Sequence, residues 1–303
     1  MDQLTMMHIF TKVADLSSFT QVADQMNLPK ASVSNAIRHL EAQLGTRLLH
    51  RTTRRVQMTQ DGMVYYERCK DILADMDDLQ QLFASTQTAL TGRLRVDMSI
   101  GLAKNILLPA LPAFMQQHPA LQIEVSSTDR RVDLVREGFD CVIRVGALQD
   151  SSLIARPLGF LSQVNCASKA YLERHGTPTT LAALETHQII HYLPSLGAKS
   201  SGFEYWQPDT GTVAFMPCAG NLTVNNTEAY LAACLAGLGI IQVPSHGIRS
   251  YLNTGQLVEI LPAHRAAPMP VSLVYANRRQ QPRRVQMFMN WVESIIKPYL
   301  TDI

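Results

Sequence analysis

"LPKASVSNAIRHLEAQLGTRLLHRTTRRVQMT", Leu28 to Thr59, gathers Lys30, Arg38, Arg47, Arg51, Arg54 and Arg55 around a single acid, Glu41. Elsewhere basic and acidic residues nearly cancel, because the 303-residue chain has a formal net charge of only +2. Within the stretch, Val33, Ile37, Leu40 and Leu44 recur at three- and four-residue steps. That period defines the buried face of a helix starting near Ala31, with Gly45 placed as its C-terminal cap. Upstream, "SSFTQVADQMNL" offers hydroxyl caps at Ser17, Ser18 or Thr20 and a short helix burying Val22, Ala23 and Met26. Asn27 to Lys30 break it, and Leu4, Met7, Phe10, Val13 and Ala14 line one face of a supporting first helix. Two short helices joined by a tight turn make a helix-turn-helix.

Downstream of Gly45 the β-branched and aliphatic residues of "TRLLHRTTRRVQMT" enclose a basic centre, which reads as a hairpin or wing tipped by Arg54 and Arg55. Thr59 can cap the next helix, with Asp61 in its first turn. That helix extends to about Ser85, and Tyr66, Cys69, Leu73, Met76, Leu79 and Phe83 form a narrow apolar seam opposite Glu67, Asp71, Asp75, Asp77 and Asp78. A seam of this kind belongs to an oligomerisation helix.

The basic stretch now has a geometry. Lys30, Ser32, Ser34, Asn35 and Arg38 fall on the third helix away from Val33, Ile37 and Leu40, while the wing brings Arg51, Arg54 and Arg55 nearby. An α-helix fits the major groove, where hydroxyl, amide and cationic side chains read base edges, and wing arginines hold phosphates or enter the minor groove. Double-stranded DNA is the expected partner.

After "TQTALTG", Thr86 to Gly92, the pattern changes. "RLRVDMSI", "LQIEVSST" and "DCVIRVG" read as strands, with helices at "KNILLPALPAFMQQHP" and "DRRVDLVREGF", so the βαβαβ order predicts a parallel sheet covered by helices. Further strands are expected at "QVNCAS", "QIIHY", "GIIQVP" and "VSLVYA", and a final helix from Arg283 to Tyr299.

These residues resemble a known family. The segment "SSFTQVADQMNLPKASVSNAIRHLEAQLGTRLLHRTTRRVQMTQDG" is similar to the winged helix-turn-helix of LysR-type transcriptional regulators, through Ala23, Val33, Ser34, Ile37, Leu40, Glu41, Leu44, Gly45, Leu48, Leu49, Arg51, Thr59 and Gly62. "RRVDLVREGFDCVIRVG" resembles the family's effector domain. The resemblance implies an α/β chain with a winged helix-turn-helix at 1–59 and a linker and dimerisation helix with hinge at 60–91. It also implies a periplasmic-binding-protein-like effector domain at 92–303. The latter would comprise subdomain I, about 92–162 and 267–303, and subdomain II, about 163–266. Implied partners are double-stranded DNA carrying an interrupted inverted repeat, a small-molecule effector, and further copies of the chain in a homodimer or homotetramer. RNA polymerase stands as a further candidate partner. Glu41 reads as structural rather than as a DNA contact, since phosphates would repel its carboxylate.

Ligands of open parallel sheets lie beyond the carboxyl ends of strands, here Ser99 to Gly101, Ser127 to Thr128 and Val145 to Gly146. The N–H groups at Ser99, Ile100 and Gly101 open a helix suited to an anion, and Asn225 and Asn226 sit at the strand-to-helix junction of the opposing subdomain. The expected effector cleft is therefore lined by Ser99, Ile100, Thr128, Arg144, Gly146, Asn225 and Asn226. Arg144 interrupts an apolar strand and needs a partner, either an acidic effector or an internal carboxylate such as Asp140.

Other chemistries find little support. "HQIIH" lacks the Glu of a helical metal site, the five cysteines show no C-x-x-C pair, and there is no G-x-S-x-G motif. No metal, cofactor or catalytic residue is expected. Cys234 reads as a buried small hydrophobe, with a redox or thiol sensor as the alternative. The start "MDQLTMMHIFTKVADL" lacks the pattern of a secretory signal, and the chain reads as cytoplasmic with no membrane partner.

Overall fold

The computed structural model describes residues 1–51, 56–81, 90–148, 153–276 and 281–301. The chain divides into two compact units, Met1–Arg93 with Ala120–Gln122, and Leu94–Pro119 with Ile123–Ile303.

The first unit opens with α1 (Gln3–Leu16), α2 (Phe19–Gln25) and α3 (Lys30–Leu44). Ser18 caps α2 by accepting from the Gln21 amide, and Asn27 takes the left-handed conformation that turns the chain into α3. Gly45, at φ 69°, ends α3 as expected. Ile9, Phe10, Val13, Val22, Val33, Ile37 and Leu40 are buried together with Leu48 and Leu49. Leu44 departs from the expected face, since it is 41% exposed in the last turn of α3, beyond the reach of α1 and α2. The wing is an antiparallel pair, β1 (Leu49–Arg51) and β2 (Val56–Met58). Thr59 caps α4 (Gln60–Gln81) through the Gly62 amide at 2.9 Å. A Cβ at Gly62 would lie 2.0 Å from the Leu48 carbonyl oxygen, so only glycine lets α4 start this close to the wing.

The second unit has two lobes. The first is built on β3 (Gly92–Met98), β4 (Leu121–Ser127), β5 (Cys141–Val145), β6 (Ile154–Leu161) and, from the far end of the chain, β14 (Met269–Tyr275). Sheet order is β4-β3-β5-β14-β6. The parallel sheet expected from sequence is corrected to a mixed one: β3 and β5 run parallel, but β14 returns antiparallel to both β5 and β6. The helix after β3 begins at Ile100 rather than Lys104, running as α5 (Ile100–Leu102), a π-helical turn (Ala103–Leu107) and α6 (Leu108–Gln117). The helix expected across "DRRVDLVREGF" shrinks to α7 (Leu134–Glu137), capped by Asp133 and stopped by Gly138 at φ 72°. The closing helix α11 (Arg283–Ile296) packs Phe288 and Trp291 against Phe114 of α6.

The second lobe centres on β7 (Gln163–Ser168), buried along its whole length between β12 (Ile241–Pro244) and β13 (Leu257–Glu259). Around it stand α8 (Lys169–His175), the parallel pair β8 (Ile190–Tyr192) and β11 (Leu222–Val224), and the hairpin β9 (Phe203–Gln207) and β10 (Thr212–Met216). Helices α9 (Thr227–Leu235) and α10 (Arg249–Asn253) complete the lobe.

Candidate DNA-binding face and effector cleft

On α3 the apolar residues Val33, Ala36, Ile37 and Leu40 turn inward, which leaves Lys30, Asn35 and Arg38 exposed and Ser32 and Ser34 half-buried. Asn35 and Arg38 act as one unit, because the Arg38 guanidinium donates to the Asn35 side-chain carbonyl one turn earlier. The register of the wing against α3 is fixed by Glu41, whose Oε1 accepts from the Leu48 amide at 2.9 Å and the Leu49 amide at 3.2 Å. The Thr46 hydroxyl donates to Asp61 at 2.7 Å, and that of Thr59 to the Arg47 carbonyl at 2.7 Å. Sequence reasoning gave Glu41 a structural role without identifying this pairing. Arg51 ends β1, whereas Arg54 and Arg55 lie outside the described residues.

In the second unit a cavity of ≈ 850 Å3 opens between the lobes, within the range of small-molecule sites. Ser99, Thr128, Arg144 and Gly146 line it. Ile100, Asn225 and Asn226 are not among its lining residues: Asn226 caps α9 by accepting from the Ala229 amide at 2.8 Å, and Asn225 is exposed. The amide of Ile100 donates to Asp129 at 3.1 Å, so an internal carboxylate takes the N–H that sequence reasoning offered to an anion.

Arg144 has an internal partner, but it is not Asp140. Its guanidinium lies 3.2 Å from Asp97, which has no exposed surface, whereas Asp140 accepts from the Arg95 amide. Ser126 and Thr128 also donate to Asp97, at 2.7 and 3.3 Å. Burial still dominates and raises the Asp97 pKa, with Ser126, Arg144 and Thr128 opposing it. The Arg144 side chain is 17% exposed where it lines the cavity, while its Nη2 is buried and has no hydrogen-bond partner among the described residues.

Sequence reasoning missed much of the second lobe's contribution. Gln163, Glu204 and Gln242 form a floor in which the Gln242 side chain donates to the Glu204 carbonyl and accepts from its amide, while Gln163 donates to the Ala267 carbonyl. Tyr192, His191 and His246 also face the cavity. His246 is pushed down to about 4 by burial and then by Arg249, and neither ring nitrogen has a partner among the described residues. It is therefore neutral near pH 7. The residues of "HQIIH" part company: His187 is buried within 3.2 Å of the Tyr171 hydroxyl, and His191 sits on β8. Among the described residues no group of three His, Cys, Asp or Glu is placed to hold a metal, and no helix is long and apolar enough to cross a membrane.

Comparison with known proteins finds two matching stretches. Residues 4–63 match the model of the bacterial regulatory helix-turn-helix protein, lysR family, and residues 87–295 that of the LysR substrate binding domain. The chain is 49% identical over 300 residues to the HTH-type transcriptional regulator YhjC of Escherichia coli (strain K12), covering 99% of this chain and 100% of that one. It is 36% identical to an HTH-type transcriptional repressor of Pseudomonas aeruginosa (strain UCBPP-PA14), over 96% of this chain and 92% of that one. Among solved structures, the full-length Vibrio cholerae virulence activator AphB, a member of the LTTR family, matches with a TM-score of 0.58 at 27% identity, covering 97% of this chain and 99% of that one.

Proposed function

The chain belongs to the LysR family of transcriptional regulators, and from that premise we propose how its parts divide the work. It is a DNA-binding regulator with a substrate-binding domain, not an enzyme. In this reading, residues 1–59 bind an interrupted inverted repeat, 60–91 join two copies, and 92–303 answer to a small molecule.

On the DNA side, Ser34 and the Asn35–Arg38 pair read base edges, Lys30 and Ser32 hold the helix in the groove, and Arg51, Arg54 and Arg55 supply phosphate or minor-groove contacts. Support comes from the exposure of Lys30, Asn35 and Arg38 on the face opposite the buried one. The copies pair through α4, where Cys69 of the expected seam is taken up by the first unit's own core and the exposed line runs instead through Ile72 and Leu79, seven residues apart and 43% and 54% exposed. Both a dimer and a tetramer built from such dimers use that seam, and the same assembly presents RNA polymerase with a surface beside the promoter.

The effector occupies the cavity between the lobes. The observation that carries this reading is a cleft of ≈ 850 Å3 with the partly exposed Arg144 cation in its wall, which favours an anionic group on the ligand. Ser99, Thr128 and Gly146 shape the wall beside it. A thermal-shift screen of organic acids against the intact chain tests the assignment. Acids that raise Tm in the wild type but not in Arg144→Met, and that change affinity for the regulated promoter, would support it. Acids acting equally on both proteins would refute it.

A further inference from the structure

The loop after β4 brings one carboxylate to both lobes at once. Asp129 Oδ1 accepts from the Ile100 amide of the first lobe at 3.1 Å, and Oδ2 from the Thr227 amide of the second lobe at 2.6 Å. Tyr192 on β8 stands near the same carboxylate, and its phenol is pushed up first by burial and then by Asp129. Both backbone donors lie in first helical turns, at α5 and α9, where amides have no carbonyl partner within their own helix. Their partner is the same side chain. Beside it the Lys104 ammonium of the π-helical turn lies 2.5 Å from Glu228 of α9, but both side chains are about half exposed, so that pair is weak.

We propose that Asp129 is an interlobe clasp: at the wall of the cavity it fastens the first turns of the helices at Ile100 and Thr227 to one another without an effector. The inference deepens the reading of the cavity as the effector site and rests on it. A closed cleft is normally the liganded state of two lobes hinged about a binding site, because the ligand supplies the bridging contacts. Here the chain supplies a bridge itself. The charge-assisted bond to Thr227 must break for the lobes to separate, whereas the bond to Ile100 lies within one lobe and can persist. A ligand group able to compete for the Thr227 amide would therefore release the clasp from the second-lobe side.

Hydrogen exchange by mass spectrometry on the full-length chain, comparing wild type with Asp129→Ala, tests the clasp without any effector or DNA. Peptides covering Ser99–Lys104 and Asn226–Tyr230 are expected to exchange roughly tenfold faster or more in the variant, with β5 and β7 unchanged. Loss of protection at Ser99–Lys104 alone would make Asp129 a cap for its own lobe and overturn the proposal. Unchanged exchange at both segments, or loss spread equally over β5 and β7, would overturn it too. Should Asp129→Ala not fold, Asp129→Asn is measured the same way. Its amide has a single acceptor oxygen, so the two-sided bridge is lost and the two segments are expected to respond unequally; full protection at both overturns the clasp. Because no ligand enters the experiment, its failure is separate from a failure of the organic-acid screen.

Discussion

The guanidinium of Arg144 on β5 stands 3.2 Å from the carboxylate of Asp97 on β3, and Asp97 has no solvent-exposed surface. Removing one member of such a pair strands the other in a low dielectric. Arg144→Ala is therefore expected to destabilise the second unit by about 3–5 kcal/mol. Arg144→Met combined with Asp97→Asn should recover most of the loss, since no charge is then left behind. Urea unfolding of the three proteins checks the ordering, and a single variant as stable as wild type would contradict it.

His246 gives the second unit a pH dependence. Its folded pKa lies near 4, below the ordinary value of 6.5, because burial disfavours the imidazolium. The neutral ring is fully accommodated above pH 6.5, and stability is lost as pH falls from 6.5 towards 4, while the unfolded chain binds a proton and the folded one does not. The contribution is at most about 3 kcal/mol. His246→Gln should reduce the slope of stability against pH in that window; an unchanged slope would count against a buried neutral ring.

Glu41 holds the wing through two backbone amides, at Leu48 and Leu49. Glu41→Ala leaves both donors part-buried and unpaired, at an expected cost of about 1–3 kcal/mol in unfolding of the first unit. Glu41→Gln, keeping one acceptor oxygen, should cost less. DNA affinity should fall with the loss of wing register although Glu41 touches no DNA in this reading.

Cys69, Cys141, Cys166 and Cys234 are buried, and burial raises the thiol pKa of Cys69 to about 11 and that of Cys141 out of the physiological range. Of the two readings of Cys234, a small core hydrophobe fits its place on α9 facing β7, where its thiol lies 3.8 Å from the Cys166 carbonyl oxygen. Brief alkylation of the native protein should label Cys218 at most, and labelling of Cys234 before unfolding would revive the sensor reading.

The first unit is legible in the sequence because its signals are local. Ser18, Gly45 and Thr59 act within one turn of their own positions, and the 3.6-residue period of α3 marks the buried face directly. The second unit is less so, since its decisive contacts are distant. β14 enters the sheet between β5 and β6 from more than a hundred residues away, which no local pattern announces. β6 went unread because Pro157 and Gly159 disguise it; they flank a register shift against Val271 and Ser272, and Gly159 takes φ 139°. The β9–β10 hairpin did carry a signal, "PDTG" between alternating residues, that the reading passed over. The partners of Arg144 and Ile100 were illegible for the same reason as β14: Asp97 and Asp129 are tens of residues distant and only the folded sheet brings them near.

The most direct test of sequence-specific regulation is genome-wide binding of the intact protein in cells, repeated with Ser34→Ala and Arg38→Ala. Each lost base contact is expected to cost about 1–3 kcal/mol, or roughly five- to 150-fold in affinity. The account requires discrete sites sharing an inverted-repeat motif, weakened or lost in both variants while the folded protein remains at wild-type level. Diffuse occupancy without a shared motif, or discrete sites indifferent to both substitutions, would contradict it.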